Sequence, residues 1–260
     1  MRLPIHQIDA FADRPFTGNP AAVMPLDAWL PDATMQSIAA ENNLAETAFL
    51  VKEATGWRIR WFTPEEEVDL CGHATLASAF LLLTELEPGN HVDFQSRSGP
   101  LAVDREGDLL VLDFPSRPGA PAPELVEPIA SALGAKPLEV RRARDWMAVF
   151  PDEATILGLR PDYAALRALE TFGVLATAPG SATDFVSRCF FPGAGVPEDP
   201  VTGSAHCTLI PYWAERLGRP NLMAFQASQR GGHLSCTLVG DRVRIGGRAV
   251  KVLEGQFLLP

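Results

Sequence analysis

A repeated order of parts constrains the fold of this 260-residue chain more than any other feature of its sequence. Two strongly apolar helices are predicted over 74–86 and 205–217, and they follow the similar starts Gly72-His73-Ala74 and Gly203-Ser204-Ala205, which lie 131 residues apart. Apolar residues cover nearly every face of both segments, as in helices buried inside surrounding sheet. The duplication predicts two similar lobes, each with one buried helix.

The segments before these two helices repeat as well. In each half a predicted helix runs into a Glu-Thr pair and a strand, at Glu46-Thr47 and at Glu170-Thr171. A Pro-rich stretch over 114–123 cannot hold a helix or a strand ladder. We therefore expect a boundary there, with an N-terminal lobe over 1–117 and a C-terminal lobe over 118–260.

Most of the remaining sequence predicts short strands divided by Gly and Pro, with few helices, which indicates an α+β fold. Residues 57–61 alternate apolar and polar, and 109–114 follow a turn, so both are predicted as half-buried hairpin strands. The other expected elements are helices over 32–42, 124–133 and 163–169, with Asp32 and Asp162 as caps and Gly134 as a stop, and tail strands over 234–239, 242–245, 248–253 and after Gly255. Gly218 is the expected stop of the helix over 205–217.

Composition and charge exclude several function classes. Lys and Arg number 22 against 32 Asp and Glu, which gives a formal charge of −10, and no basic cluster is present, so we expect no nucleic-acid partner. The longest apolar stretch, 76–83, is far shorter than the roughly 20 residues of a membrane helix, so no membrane span is expected. The N-terminus lacks the charged-then-apolar order of a signal peptide, and we expect a cytoplasmic protein.

Signatures of metal and cofactor sites are missing from the sequence. The four cysteines show no CxxC spacing, and His6, His91 and His233 show no ligand spacing, so no metal is expected. No stretch carries the full dinucleotide fingerprint or a phosphate-binding loop, and 202–206 is not G-x-S-x-G. We therefore expect no cofactor and no nucleophilic serine, and we interpret His206 as a packed core histidine.

The two helix starts are candidates for binding an anion. The first amide groups of a helix have no intrahelical partner and lie at its positive end, and Gly72 and Gly203 permit a ligand to approach them closely. Facing each other across a cleft, the two starts would clamp a small carboxylate, which predicts an amino acid or a hydroxy acid as ligand. The alternative is that His73 and Ser204 only cap their helices.

Two carboxylates are candidates for the chemistry. Glu46 stands where a predicted helix gives way to a strand among small and apolar neighbours, and burial there would raise its pKa, as general acid–base catalysis requires. A solvated or capping carboxylate is the alternative for Glu46. Asp199, four residues before Gly203, could orient a substrate amine or hydroxyl, or it could belong to a polar Asp-Pro turn.

With these motifs the chain resembles the PhzF-like family of phenazine biosynthesis, within the diaminopimelate-epimerase superfamily. The resemblance covers essentially the whole chain, with several motifs in the expected order. The matching segments are Gly18-Asn19-Pro20-Ala21-Ala22-Val23, 42–49, Leu70-Cys71-Gly72-His73-Ala74-Thr75, Ser187-Arg188-Cys189-Phe190, 198–206 and 246–250.

The resemblance implies two lobes related by a pseudo-twofold axis, each a strongly curved, mostly antiparallel sheet around a central helix, with the active site between them. The C-terminal strand, about 249–260, could return to the first lobe. The resemblance also implies that Glu46 is the general acid–base, that His73 assists it and that Asp199 orients the substrate. The positions that would hold the substrate carboxylate are Gly72, Ala74, Gly203, Ser204 and Ala205.

The resemblance further implies a homodimeric, cofactor-independent isomerase that moves a proton on a dihydro-hydroxyanthranilate or another small amino or hydroxy carboxylate. A second hypothesis is a small-carboxylate binding protein whose catalysis has lapsed. A racemase with two thiols, as in the wider superfamily, is disfavoured because the counterpart of Cys71 is Pro200. A lone Cys71 near a helix start would have a lowered pKa and react with alkylating reagents.

Overall fold

The chain forms two units in the structure, a computed structural model that describes residues 1–54 and 56–259. The first unit comprises Met1–Asp113 and the chain from Gly246 onward, and the second unit comprises Phe114–Ile245. Among the described residues, no helix combines the length and the apolar character needed to cross a membrane.

Strands alternate with helices along both units. The first unit begins with β1 (Arg2–Ala10), β2 (Asn19–Leu26), α1 (Asp32–Asn42), β3 (Glu46–Glu53), β4 (Gly56–Phe62), β5 (Glu67–Val68), α2 (Gly72–Leu81), β6 (His91–Ser96), β7 (Gly99–Glu106) and β8 (Leu109–Pro115). The chain continues with β9 (Ala120–Pro121), α3 (Val126–Leu133), β10 (Glu139–Arg142), β11 (Trp146–Val149), α4 (Glu153–Gly158), α5 (Tyr163–Arg167), β12 (Val174–Pro179), β13 (Phe185–Phe191), β14 (Val196–Asp199), α6 (His206–Leu217), β15 (Asn221–Gln226), β16 (Gly232–Val239) and β17 (Arg242–Gly247). The final strand, β18 (Ala249–Leu258), lies in the first unit and pairs antiparallel with β1.

The order of strand pairing is the same in the two units. In the first, β1–β2 and β3–β4 are antiparallel, whereas β2–β3 and β4–β6 are parallel, with α1 and α2 in the parallel connections. In the second, β10–β11 and β12–β13 are antiparallel, whereas β11–β12 and β13–β15 are parallel, with α4, α5 and α6 in the connections. The pairing confirms the predicted α+β fold and its duplicated order, in which α2 and α6 occupy equivalent places.

The helix α2 is buried in the first unit, as its composition predicts. Every residue of α2 except Phe80 is buried, and the helix contacts β1, β2, β3 and β18. Thr75 and Ser78 donate their hydroxyl protons to backbone carbonyls one turn earlier, which satisfies these polar groups inside an apolar core. A π-helical turn, Leu82–Leu86, ends the segment.

The helix α6 is anchored in the second unit despite an internal proline. Pro211 has no N–H to donate to the carbonyl group of Cys207, and that carbonyl accepts a hydrogen bond from the backbone N–H of Arg117 instead, at 2.8 Å. Trp213 Nε1 donates to Thr177 Oγ1 of β12 at 3.0 Å. The helix therefore keeps its buried polar groups paired at both of these points.

Local capping signals give the expected helix ends. The Asp162 side chain accepts hydrogen bonds from the first amides of α5, and Gly134 and Gly218 adopt left-handed conformations at the ends of α3 and α6. These signals act within one helical turn, which explains why the sequence alone predicts them.

Three local predictions are wrong. The Pro-rich stretch 114–123 does hold ladder pairs, because β8 extends to Pro115 and the short β9 pairs with β10, with the prolines at the strand ends, where a missing N–H is tolerated. Asp32 is not a cap, because Pro31 occupies the capping position of α1 and Asp32 lies in the first turn. Gly255 does not start a separate strand, because β18 continues through it and Gly255 pairs with Ile5 of β1. The pairing with β1 is regular from Arg2 to Gln7, which keeps the glycine in the ladder, and its register shifts only between Gln7 and Ile8.

Candidate active site

Glu46 is placed by the connection between α1 and β3. The helix ends at Asn42, and Asn43 closes it in a left-handed conformation with φ 49°. Asn42 Nδ2 donates to Thr47 Oγ1 at 3.0 Å, which ties the helix end to the new strand. Glu46 is the first residue of β3, and its side chain is 17% exposed, so the unit shields most of the carboxylate from water.

The start of α2 brings His73 next to Glu46. His73 Nε2 lies 3.1 Å from Glu46 Oε2, and both atoms are inaccessible to solvent. The two atoms are at ion-pair distance without the alignment of a hydrogen bond, and neither has a hydrogen-bond partner among the described residues. Buried polar atoms are nearly always paired in folded proteins, and at 3.1 Å the carboxylate and the ring are each other's electrostatic partner.

Asn19 and Cys71 contact the other nitrogen of the His73 ring. Asn19 Nδ2 lies 3.2 Å and Cys71 Sγ 3.5 Å from His73 Nδ1. If the ring is neutral, a bond donated by Asn19 to Nδ1 places the ring proton on Nε2, and in the imidazolium both nitrogens carry a proton, so in either state an Nε2 proton faces Glu46. Sequence reasoning assigned no role to Asn19, although it lies within the Gly18-Asn19-Pro20 motif.

Burial and charge determine the protonation of His73 and Cys71. Burial alone lowers the pKa of His73, but the contacts with Cys71 and Glu46 outweigh this effect and raise the pKa well above 6.5. Burial, and then the charge of Glu46, raises the pKa of the Cys71 thiol to about 11. The prediction of a lowered pKa for Cys71 is therefore wrong, because desolvation outweighs the effect of the helix start. At neutral pH Cys71 is a thiol, so Glu46 is the charged neighbour that favours the imidazolium.

Asp199 ends β14 in the second unit, where the turn that follows holds it. Thr202 Oγ1 donates to Asp199 Oδ2 at 2.5 Å. The buried Gln226 accepts from the backbone N–H of Thr202 at 2.8 Å, and its Nε2 donates to the backbone carbonyl of Asp199 at 2.8 Å. Sequence reasoning assigned no role to Thr202 or Gln226. Thr202 lies within a matching motif, but Gln226 lies 24 residues beyond Thr202 and outside that motif, without a local signal.

The second helix start differs from the expected one. Gly203–Ala205 form a 3₁₀ turn, and α6 begins at His206. Gly203 and Ala205 are buried, and Ser204 is half-buried. His206 is a core histidine, as predicted: burial lowers its pKa to about 4, and the neutral ring donates from Nδ1 to the Thr202 carbonyl at 2.9 Å.

An ion pair joins two of the matching sequence motifs. Arg188 of β13 binds Glu198 of β14 through two parallel hydrogen bonds of 2.7 and 2.8 Å. Arg188 Nη1 also donates to the carbonyls of Ile156 and Leu159, at 3.2 Å each. These bonds fix the strand that carries Asp199.

Two clusters in the described part of the chain bring together donors suited to a metal ion. The ligand atoms of each lie within 4.8 Å of one another, and the clusters are Glu46, Cys71 and His73, and His6, Glu85 and Glu254. A metal in the first would have to displace the thiol proton. In the second, Lys251 already bridges the two carboxylates at 2.8 and 2.6 Å.

Comparison with known proteins agrees with these features. The family profile described as phenazine biosynthesis-like protein (PhzC-PhzF) matches residues 8–255. An uncharacterized isomerase of Pseudomonas aeruginosa is 54% identical over 261 residues, which cover 100% of both chains. The crystal structure of a phenazine biosynthesis protein of the PhzF family from Enterococcus faecalis has a TM-score of 0.97 and 49% identity, again over 100% of both chains.

A more distant solved structure shares the fold. A hydroxyproline epimerase from Agrobacterium vitis aligns with a TM-score of 0.61 over 98% of this chain and 91% of the epimerase, at 13% identity. The family profile and the close relatives each cover the chain nearly end to end. The chain therefore belongs to the phenazine biosynthesis-like (PhzC/PhzF) family of isomerases.

Proposed function

We propose that this protein is a cofactor-independent isomerase that shifts a proton within a small amino or hydroxy carboxylate, such as a dihydro-hydroxyanthranilate, with Glu46 as general acid–base. One observation carries the proposal. Glu46 Oε2 and His73 Nε2 lie 3.1 Å apart, both inaccessible to solvent and both without a hydrogen-bond partner in the described chain.

Glu46 would move the proton in two steps. Its carboxylate removes a proton from one carbon of the substrate, and the electron pair left behind delocalises towards the substrate's acid group. The carboxylic acid then returns the proton to a second carbon. Substrate and product contain the same atoms, so the reaction consumes no oxidant, reductant or co-reactant. His73 would assist by directing its Nε2 proton at the Glu46 carboxylate.

Backbone amides would hold the carboxylate of the substrate. The first intrahelical bond of α2 runs from Thr75 N to the Cys71 carbonyl at 3.1 Å, so the amides of Gly72 and Ala74 have no intrahelical partner. We assign a similar binding role to the backbone of Gly203–Ala205. Asp199 would orient the amine or hydroxyl of the substrate.

Exchange of carbon-bound hydrogen tests the proposal. The protein is incubated in deuterated water with a dihydro-hydroxyanthranilate and a panel of amino and hydroxy acids, and deuterium in each acid is measured by mass spectrometry. We expect incorporation with at least one acid and a loss of about 10²- to 10⁴-fold in Glu46→Gln, which keeps the size of the side chain but not its basicity. Glu41→Gln, at an exposed position of α1, is the matched control and should exchange like the wild type.

The outcomes separate the competing functions. Full exchange in Glu46→Gln would show that another group is the base. Binding of an acid by calorimetry, unchanged in Glu46→Gln and without exchange in the wild type, would favour the lapsed binding protein. We also propose a homodimer, on the family resemblance alone, and sedimentation velocity measures its mass.

A further inference from the structure

We infer that Thr202 and Gln226 are positioning residues that fix the carboxylate of Asp199 for substrate binding. The inference rests on the proposed function, in which Asp199 orients the amine or hydroxyl of the substrate. Hydrogen bonds at three points of Thr202 within the second unit carry it, namely at its hydroxyl, its N–H and its carbonyl, and each involves a side chain that is buried or nearly so.

The first contact gives the Thr202 hydroxyl a defined direction. Gln226 Nε2 lies 3.2 Å from Thr202 Oγ1 and can only donate, so the hydroxyl oxygen is the acceptor in that bond. The single hydroxyl proton is then left for Asp199 Oδ2, 2.5 Å away. A short hydrogen bond to a carboxylate restricts the rotation of the Asp199 side chain.

The second and third contacts hold the Thr202 backbone. Its N–H donates to Gln226 Oε1 at 2.8 Å, and its carbonyl accepts from His206 Nδ1 at 2.9 Å. Gln226 and His206 are both fully buried. Every polar atom of Thr202 is therefore engaged, and the same Gln226 amide also holds the Asp199 carbonyl at the other end of the turn.

These bonds do more than stabilise a turn. The Thr202 hydroxyl reaches a side-chain carboxylate, which leaves the path of the backbone unchanged and constrains only the direction of that carboxylate. This contact orients the carboxylate that would bind the substrate. Removing the hydroxyl should therefore weaken ligand binding, an effect that can be measured separately from any loss of stability.

Amide hydrogen exchange of the ligand-free protein tests the role of Gln226. Gln226→Met removes the acceptor of the Thr202 amide, and we expect the 199–204 segment to exchange at least about tenfold faster. The matched control is Thr177→Val, which removes another buried hydroxyl of the second unit, bonded to Val186 and Trp213, and should leave this segment unchanged. Unchanged exchange in Gln226→Met would overturn the inference. If that variant does not fold, Gln226→Asn, whose shorter side chain withdraws the amide from both ends of the turn, takes its place with the same expected result.

Binding of 3-hydroxyanthranilate, the aromatic counterpart of the dihydro acid, tests the role of Thr202 by calorimetry. Thr202→Val keeps the shape of the side chain and loses the hydroxyl, and we expect about a tenfold higher Kd. Thr202→Ser keeps the hydroxyl and should restore binding, whatever its melting temperature. Equal Kd values for Thr202→Val and the wild type would overturn the inference.

A wild-type protein that neither binds 3-hydroxyanthranilate nor exchanges hydrogen with any acid of the panel would show that the proposed function is wrong. The amide-exchange comparison would then decide by itself whether Gln226 holds the turn. The two failures are thus distinguishable.

Discussion

The imidazole ring of His73 reports most directly on the electrostatics of the candidate active site. Two opposing effects act on it, since burial favours the neutral ring and nearby negative charge favours the cation, and the charge prevails. Cys71 remains a thiol because burial raises its pKa to about 11. The protonation of His73 at neutral pH therefore depends on Glu46, the residue proposed to carry the proton.

We predict that His73 stays protonated through neutral pH in the wild type and is neutral there in Glu46→Gln. The substitution removes the negative charge and leaves the burial, which lowers the pKa. Titration of the imidazole ¹⁵N chemical shifts by NMR measures both states. A wild-type His73 ring that is neutral at pH 7 would contradict this prediction. A His73 pKa in Glu46→Gln that is as high as in the wild type would contradict it as well.

The raised pKa of His73 also makes the stability of the folded protein depend on pH. A group whose pKa is raised on folding contributes stability that is fully present below its unfolded pKa, near 6.5 for histidine, and is lost as the pH rises through the folded value. The difference in unfolding free energy between the wild type and Glu46→Gln should therefore be largest just below pH 6.5 and shrink under alkaline conditions. Urea unfolding over a series of pH values gives this difference.

Pairing between β13 and β14 sets the position of Asp199 within the second unit. Arg188 and Glu198 face each other across these strands with side chains only 12% and 17% exposed. Arg188 also reaches the carbonyls at the end of α4, at Ile156 and Leu159. A guanidinium group can serve all of these acceptors because its donors form a planar fork, which an ammonium group lacks.

Arg188→Lys should lower the unfolding free energy by about 1–3 kcal/mol, since it keeps the charge and loses the two-point contact and both carbonyl bonds. Arg142→Lys is the control, because Arg142 and its partner Glu124 are both exposed, and such pairs contribute little. Urea unfolding compares the two variants. If Arg188→Lys loses no more stability than the control, the buried ion pair does not brace this strand pair.

At the scale of the molecule, the chain leaves the first unit after Asp113 and returns to it at Gly246. The return brings backbone against a buried aromatic ring of the same unit. A Cβ atom added at Gly247 would lie 2.2 Å from Cδ1 of Phe11, which itself has a positive φ of 57°. A side chain at position 247 would therefore collide with the Phe11 ring, which explains the glycine at the second position of the closing Gly246-Gly247 motif.

We predict that Gly247→Ala destabilises the protein by about 1–3 kcal/mol, because the added methyl group overpacks the Phe11 ring. Gly255→Ala, on β18 with no atom within 4 Å of the added Cβ, is the matched control and should change stability little. Thermal unfolding by circular dichroism measures both. Equal melting temperatures for the two variants would show that the ring yields without cost.

The sequence by itself determined the features that depend on a few neighbouring residues. The two apolar helices, the Asp162 cap, the Gly134 and Gly218 stops and the duplicated order follow from periodicity and capping, which act within one or two turns. Glu46 and His73 were also identified in advance, as members of recognisable motifs, and the structure places them 3.1 Å apart.

Only the tertiary structure decided which groups meet and how they are charged. The thiol of Cys71 next to a helix start suggests a low pKa, yet packing of the surrounding elements removes water and raises it. Gln226 has no local signal, and parallel pairing of β15 with β13 brings it to the turn at Asp199. Capping and periodicity are properties of a short segment, whereas solvation and partner choice depend on segments that only the folded chain brings together.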